Sequence, residues 1–151
     1  TGPHPDRVAF EAGRIMLRRL SELAAAREDF AFESTLSSRS FAPFLQRLKA
    51  AGYRIAIYYF SLDSAQLAVR RVKLRVSLGG HDVPADVVRR RFARSQTNFF
   101  ALYAPLADDW ALFDNSQAGD ARLIAELRNQ HLQIEDVPSW TRLQPKNRPP
   151  T

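Results

Sequence analysis

Apolar residues recur at helical spacing near the start of the chain. Val8, Ala12, Ile15, Met16, Leu20 and Leu23 fall on one face, with Arg14, Arg18 and Ser21 outward. That pattern predicts a helix from about Asp6 to Arg27. Phe30-Ala31-Phe32 reads as a short buried strand ending at the polar run Glu33-Ser34-Thr35. Ser38 or Ser40 is placed to cap a second helix, which lasts to about Ala51 and is stopped by Gly52. The stretch 53–60, YRIAIYYF, is the clearest strand: short, β-branched and aromatic, and almost continuously apolar. Ser61-Leu62-Asp63-Ser64 makes a turn and cap, followed by a helix to about Leu78. Pro84 suits the first turn of the next helix, which extends to Ala104 and is ended by Pro105. Trp110 to Asp114, WALFD, is another buried strand; a loop from Asn115 to Gly119 leads to a helix over about Asp120 to Gln130. His131 to Val137 forms a last, edge strand.

Strands alternating with helices, each strand a near-continuous apolar run, predict an α/β fold with a parallel sheet flanked by helices. In such sheets ligands bind beyond the carboxyl ends of the strands. Three polar clusters fall there: Glu33-Ser34-Thr35, Ser61 to Asp63, and Asp114-Asn115-Ser116. The expected domain runs from residue 1 to 137. Residues 138–151 hold four prolines and little that is apolar, and read as a loose tail.

A chain of 151 residues that is 45% apolar supports one ordinary core. It holds no cysteine, which excludes disulfides and thiolate metal sites and fits a cytoplasmic protein. No apolar run approaches the roughly 20 residues of a membrane span. The start, TGPHPDRVAF, lacks the order of a secretory signal. It also begins without methionine, which predicts a processed, truncated or partly observed chain.

Charge changes the picture more. Between Ala68 and Asn98 stand Arg70, Arg71, Lys73, Arg75, Arg89, Arg90, Arg91 and Arg94, eight positive residues against Asp82 and Asp86. The net charge of this stretch equals the +6 of the whole chain, so the remainder is balanced. A local positive field suits a compact anion, such as a polyphosphate, better than a long nucleic-acid track. Arg71 and Arg75 share a helix face, as do Arg91, Arg94 and Asn98. Gly79 and Gly80 allow a tight reversal that brings the two helices towards one anion. Arginine fits this task because its planar fork stays charged and donates paired hydrogen bonds to phosphate oxygens. A solvated basic face is the simpler reading of the same residues.

Glu33, Thr35 and Arg39 form a second cluster: a carboxylate at a strand end can orient a substrate hydroxyl, and an arginine in the next helix can hold an anion. A helix-capping loop with a surface ion pair explains the same spacing. His81 reads as a structural turn residue, and with His4 and His131 it offers no metal-ligand spacing, so no protein-borne metal site is expected. Asp114-Asn115-Ser116 is placed to contact a base or ribose, or is an ordinary turn. Phe92 and Phe99 lie seven apart on one face and point to core packing, not base stacking, so nucleic acid is a weaker expectation.

The order FAFESTLSSRS, AVRRVKLRV, GGHDVPADVVRRRFARSQTNF and LFDNS resembles the zeta-toxin-like family of P-loop kinases, over roughly Ala9 to Ser116. The resemblance implies a nucleotide-kinase-like fold, a link to toxin–antitoxin systems, and ATP with magnesium as cofactors. The best-understood type phosphorylates a hydroxyl of UDP-N-acetylglucosamine. By the resemblance, Glu33, Thr35 and Arg39 lie on the acceptor side, while Arg75, Arg91 and Arg94 are lid arginines neutralising the transferring phosphoryl group. Asn115 lies near the nucleotide base. Phosphoryl transfer relies on positioning and charge stabilisation, which suits an arginine lid over residues 68–98.

One departure stands out. The family opens on a strand and G-x-x-x-x-G-K-[ST], the loop whose lysine reaches the β- and γ-phosphates. None of the six glycines here is followed by lysine. The next family segment, ending in an aspartate base, is also missing. The expectation is an N-terminally incomplete kinase without its first strands and phosphate loop, inactive as this chain alone. A second chain completing the sheet, or an antitoxin, is the implied protein partner. The alternatives are a non-catalytic remnant that binds anions or a partner protein, and a basic nucleic-acid-binding module.

Overall fold

The computed structural model describes residues 5–145, with side chains from residue 11 onward. The elements are α1 (Pro5–Ala25), α2 (Phe41–Ala50), β1 (Ala56–Ser61), α3 (Ala65–Ser77), α4 (Ala85–Asn98), a π turn (Phe99–Tyr103), β2 (Asp109–Asp114), β3 (Arg122–Arg128), β4 (His131–Ile134) and α5 (Val137–Leu143). Residues 1–33 form one compact unit and residues 34–151 another.

In the first unit, α1 realises the predicted helix. Met16 and Leu17 are half-buried and Leu20 is buried, but Ile15 is exposed and so is Ala12. The apolar face is therefore rotated from the expected one; the side chain of Val8 lies outside the described residues. The helix ends with Arg27 in the left-handed region (φ 61°), where its N–H reaches the Ala24 carbonyl and that of Glu28 reaches Leu23. This 6→1 and 5→2 pattern satisfies carbonyls the helix itself cannot. Phe30 to Phe32 is not a strand. Three residues form a strand only if a neighbouring strand accepts their ladder, and periodicity does not report on that.

The second unit is built on a four-stranded sheet in the order β1-β2-β3-β4. β1 and β2 are parallel, with Ala56 opposite Asp109 and Ser61 opposite Asp114. β2/β3 and β3/β4 are antiparallel. The expected parallel sheet is thus realised in one pair, and the sheet is mixed. Connection length explains the difference. α3 and α4 give β1→β2 the long crossover a parallel pair needs, whereas residues 115–121 are too few for one, so the chain returns antiparallel.

The helix expected over Asp120–Gln130 is instead strand β3. Leu123, Ile124 and Leu127 fit helical spacing, but Asn129 (φ 50°) and Gln130 (φ 66°) both take the left-handed region between the paired residues Arg128 and His131. This is a two-residue hairpin turn of type I′ geometry, and it ties β3 to β4. A register shift at Leu112/Phe113 accommodates an extra residue in β3, and Ile124 there is fully buried.

Along β1 the side chains alternate. Tyr59 faces the helices and stacks on Phe99 at 4.5 Å, while Tyr58 and Phe60 are 62% and 54% exposed. Phe99 also meets Trp110 edge-on, and Trp110 stacks on Trp140 of α5 at 5.9 Å. This aromatic layer, closed by Leu112 and Ala125, is the core over one sheet face. On the opposite face Phe60 stacks on Phe113 at 5.1 Å.

Trp140 also corrects the expectation of a loose tail from residue 138. Asp136 caps α5 by accepting from Ser139 N at 3.0 Å, and Trp140 and Leu143 anchor it. Residues 146–151 lie outside the described residues. The C-terminal limit of the α4 segment agrees with expectation, although its last turn is π.

Candidate functional site

The carboxyl ends of β1 and β2 are brought together by their pairing. Ser61 is buried, its hydroxyl donates to Phe113 O at 2.8 Å, and its carbonyl accepts from Asn115 N at 2.9 Å. Ser116 N–H donates to Asp114 Oδ1 at 2.9 Å, and the Ser116 hydroxyl accepts from Asp63 N at 2.8 Å. Two of the three predicted polar clusters are therefore one hydrogen-bonded assembly. Asp114 is buried and accepts from Arg122, which also bridges to Asp136, each at 3.2 Å. Burial pushes the Asp114 carboxyl up, but bonds from Ser116 and from Arg122 outweigh it and hold the group below its ordinary value. Arg142 of α5 pairs with Asp63 at 2.9 Å.

Arg71 joins this assembly by donating to Ser116 O at 3.2 Å. Arg75, one turn on, serves the turn after α3. Its Nη2 donates to His81 O at 3.3 Å, and its carbonyl accepts from Gly80 N at 2.9 Å. Gly79 (φ 88°) supplies the left-handed residue. The contact at His81 is made by its backbone carbonyl. Of the two arginines sharing the α3 face, the one nearer the strand ends is thus Arg71.

Arg91 and Arg94 are exposed on α4, and among the described residues neither has an ion-pair partner. Arg90 meets Asp86 only at 3.8 Å. The helix bearing them is fixed at Ser95, whose hydroxyl bonds Tyr59 Oη at 3.0 Å, and at Asn98, whose amide donates to Leu36 O at 2.8 Å. Asn98 shares the helix face of Arg91 and Arg94, so that face ends on the loop carrying Thr35 and Arg39.

That loop, Ser34 to Ser40, is rich in paired hydroxyls. Thr35 Oγ1 lies 2.8 Å from Ser37 Oγ, and Ser38 Oγ lies 2.7 Å from Ser40 Oγ. Ser40 occupies the N-cap of α2 without capping it through its side chain, contrary to expectation, because its hydroxyl is engaged with Ser38. Leu36 is left-handed (φ 53°). Tyr103, fully buried, donates its hydroxyl to Ser38 O. Burial pushes that hydroxyl up, opposed by the Phe41 backbone and the Arg39 guanidinium. Thr35 and Arg39 thus share this loop. Glu33 is exposed and closes the other unit, joined to Thr35 through one residue.

Tyr103 is missing from the sequence-derived site, and Asn98 and Arg71 entered it only as companions on the faces of the arginines given roles. Asn98 and Arg71 stood in helical register with the chosen arginines, a usable signal. Tyr103 gave none, because its direction depends on the π turn.

The zeta toxin family model matches residues 6–118, more than half of the chain. The chain belongs to the zeta toxin family. A protein of Haemophilus influenzae (strain ATCC 51907 / DSM 11121 / KW20 / Rd), described as an uncharacterized protein, is 32% identical over 63 residues. That similarity spans 42% of this chain and 45% of the relative, so the chain covers less than half of the relative's length. No solved structure matches the chain. The mixed α/β sheet flanked by helices is consistent with a P-loop kinase-like fold, and membership of this zeta toxin family suggests a kinase-like function. Among the described residues, no helix is long and apolar enough to cross a membrane.

Proposed function

We propose that this zeta toxin family chain carries the arginine lid and acceptor side of an ATP-dependent kinase that phosphorylates a small-molecule hydroxyl, with a UDP-N-acetyl sugar the first acceptor to test. The observation that carries the reading is the α4 face. Among the described residues, Arg91 and Arg94 stand without ion-pair partners on the face that Asn98 joins to the loop of Thr35 and Arg39. Unneutralised guanidinium groups in helical register repel one another and gain most from a polyanion.

The residues fit the phosphate part of ATP by charge. Arg70, Lys73, Arg89, Arg91 and Arg94 have no ion-pair partner among the described residues. For magnesium, no group of three His, Cys, Asp or Glu side chains stands together among the described residues. In kinase sites the ion is held by substrate phosphates, water and one or two carboxylates, which needs no such group. When bound, ATP supplies the phosphoryl group. In this reading Arg91 and Arg94, with Arg75 if it leaves His81 O, neutralise charge on that group. Asn115 contacts the base, and Glu33, Thr35 and Arg39 orient the acceptor. The 151 residues hold no G-x-x-x-x-G-K-[ST] segment, so a phosphate-cradling loop must be supplied from outside them. A partner chain or an antitoxin remains part of the same proposal.

Calorimetric titration with a non-hydrolysable ATP analogue tests it. Micromolar binding by the parent, lost in the Arg91→Ala, Arg94→Ala variant, is the expected result. Absence of binding at millimolar nucleotide would move the function to a non-catalytic anion or protein binder. Nucleic-acid affinity falling steeply with salt would favour the basic module instead.

A further inference from the structure

The chain holds one loop with two buried donors from a single helical segment. Asn98, only 9% exposed, donates to Leu36 O at 2.8 Å, and Tyr103, fully buried, donates to Ser38 O. In a regular α-helix, positions five apart point to different sides. Here the hydrogen bond from Ala104 N to Phe99 O, 2.8 Å long and spanning five residues, widens the turn. The π turn thereby lets Asn98 and Tyr103 address the same loop. A π turn and a left-handed Leu36 are both uncommon, and each persists only where its surroundings over-determine it. They converge on seven residues in which Thr35 and Arg39 are exposed and the half-buried Ser37 keeps its hydroxyl 2.8 Å from Thr35 Oγ1.

We infer that Asn98 and Tyr103 are positioning residues, which hold Thr35, Ser37 and Arg39 as a preformed rim for a hydroxyl-bearing anionic ligand of the sugar-phosphate class. This rests on the acceptor assignment of Thr35 and Arg39 proposed above. Two fixed carbonyls, two residues apart, set the direction of the three side chains around them. The rim then does not have to be ordered when ligand arrives, which removes an entropic cost of binding. The hydroxyl pair offers donors and acceptors to sugar oxygens, and the guanidinium offers a fork to phosphate.

The test is calorimetric titration of the full chain with UDP-N-acetylglucosamine, together with amide hydrogen exchange across residues 34–40. The parent is compared with Tyr103→Phe, Asn98→Ala, Arg39→Ala and Thr35→Ala. Tyr103→Phe keeps the buried ring and removes only the donor. Its affinity is expected to fall roughly five- to tenfold, as for one lost buried hydrogen bond, with faster loop exchange and a preserved melting transition. Asn98→Ala is expected to act in the same direction and decides the matter if Tyr103→Phe folds poorly. Parental affinity in both variants, with weakened binding in Arg39→Ala, would overturn the positioning role and leave the acceptor reading standing. Parental affinity in Arg39→Ala and Thr35→Ala, or no binding by the parent, would overturn the acceptor reading itself.

Discussion

Two adjacent glycines after α3 have different jobs. Gly79 has φ 88°, and its Cβ would meet nothing within 4 Å, so alanine there meets only backbone strain. Gly80 takes an ordinary φ, but a Cβ would lie 2.6 Å from Arg75 Cγ and 2.8 Å from Arg75 O. The carbonyl is backbone and cannot swing away. Gly79→Ala should cost about 1–2 kcal/mol from the left-handed conformation, and Gly80→Ala about 1–3 kcal/mol from overpacking. Gly13, in α1 with open space around it, should gain about 0.5–1 kcal/mol as alanine, since glycine is the poorer helix former. Urea unfolding of the three variants checks the order; a stabilised Gly80→Ala would refute the packing argument. Asp114 sets a pH dependence. Its folded value is depressed, so its contribution is present above the ordinary 3.8 and is lost as pH falls through the lower folded value. Stability should therefore drop below about pH 4, and Asp114→Asn should flatten part of that drop in acid titrations of the melting temperature. Asp108, Asp109 and Asp136 are depressed as well and keep the remaining slope.

At the scale of elements, β3 separates what periodicity reports from what pairing decides. RLIAELR satisfies a helical template, yet the left-handed pair Asn129-Gln130 commits it to a hairpin. Type I′ turns favour Asn-Gly, so Gln130→Gly should relieve strain and raise stability by about 0.5–1 kcal/mol, read as a shifted urea midpoint. An unchanged or lowered midpoint would mean that the turn is held by something other than its own conformation. The π turn is the second such element. Phe99 is fully buried among Tyr59, Phe100 and Trp110, so Phe99→Ala should cost about 3–5 kcal/mol and release the aromatic layer, visible as loss of near-UV dichroism. Helices α3 and α4, by contrast, were legible almost to the residue. Ser64 caps α3 by accepting from Leu67 N at 3.2 Å, and Pro84 stands at the N-cap of α4.

For the whole molecule, charge and exposed apolar surface pull in opposite directions. The net charge of +6 keeps copies apart, while β1 lies at a sheet edge with the uncharged sequence AIYYFS and exposed Tyr58 and Phe60. Edge strands without charge, proline or bulge invite pairing with another chain. Self-association, followed by light scattering against concentration, should therefore rise with salt as repulsion is screened, and Tyr58→Lys should suppress it. Association that is insensitive to both salt and Tyr58→Lys would exclude this edge as its cause.

Hydrophobic spacing and local charge alone determined the α/β class, the α3–turn–α4 hairpin with its arginines, and strands β1 and β2, because each follows from short-range pattern and capping chemistry. The motifs of residues 30–116 also carried the family. Tertiary structure decided the rest. The direction of β3 depended on a connection too short to cross over. The loop of Thr35 and Arg39 depended on side-chain donors, Asn98 and Tyr103, sixty-odd positions along the chain. The placement of Arg71 at Ser116 O and of Arg75 at His81 O depended on which turn of α3 meets the strand ends. Contacts between residues far apart in sequence leave no periodic trace, so only the folded chain could assign them.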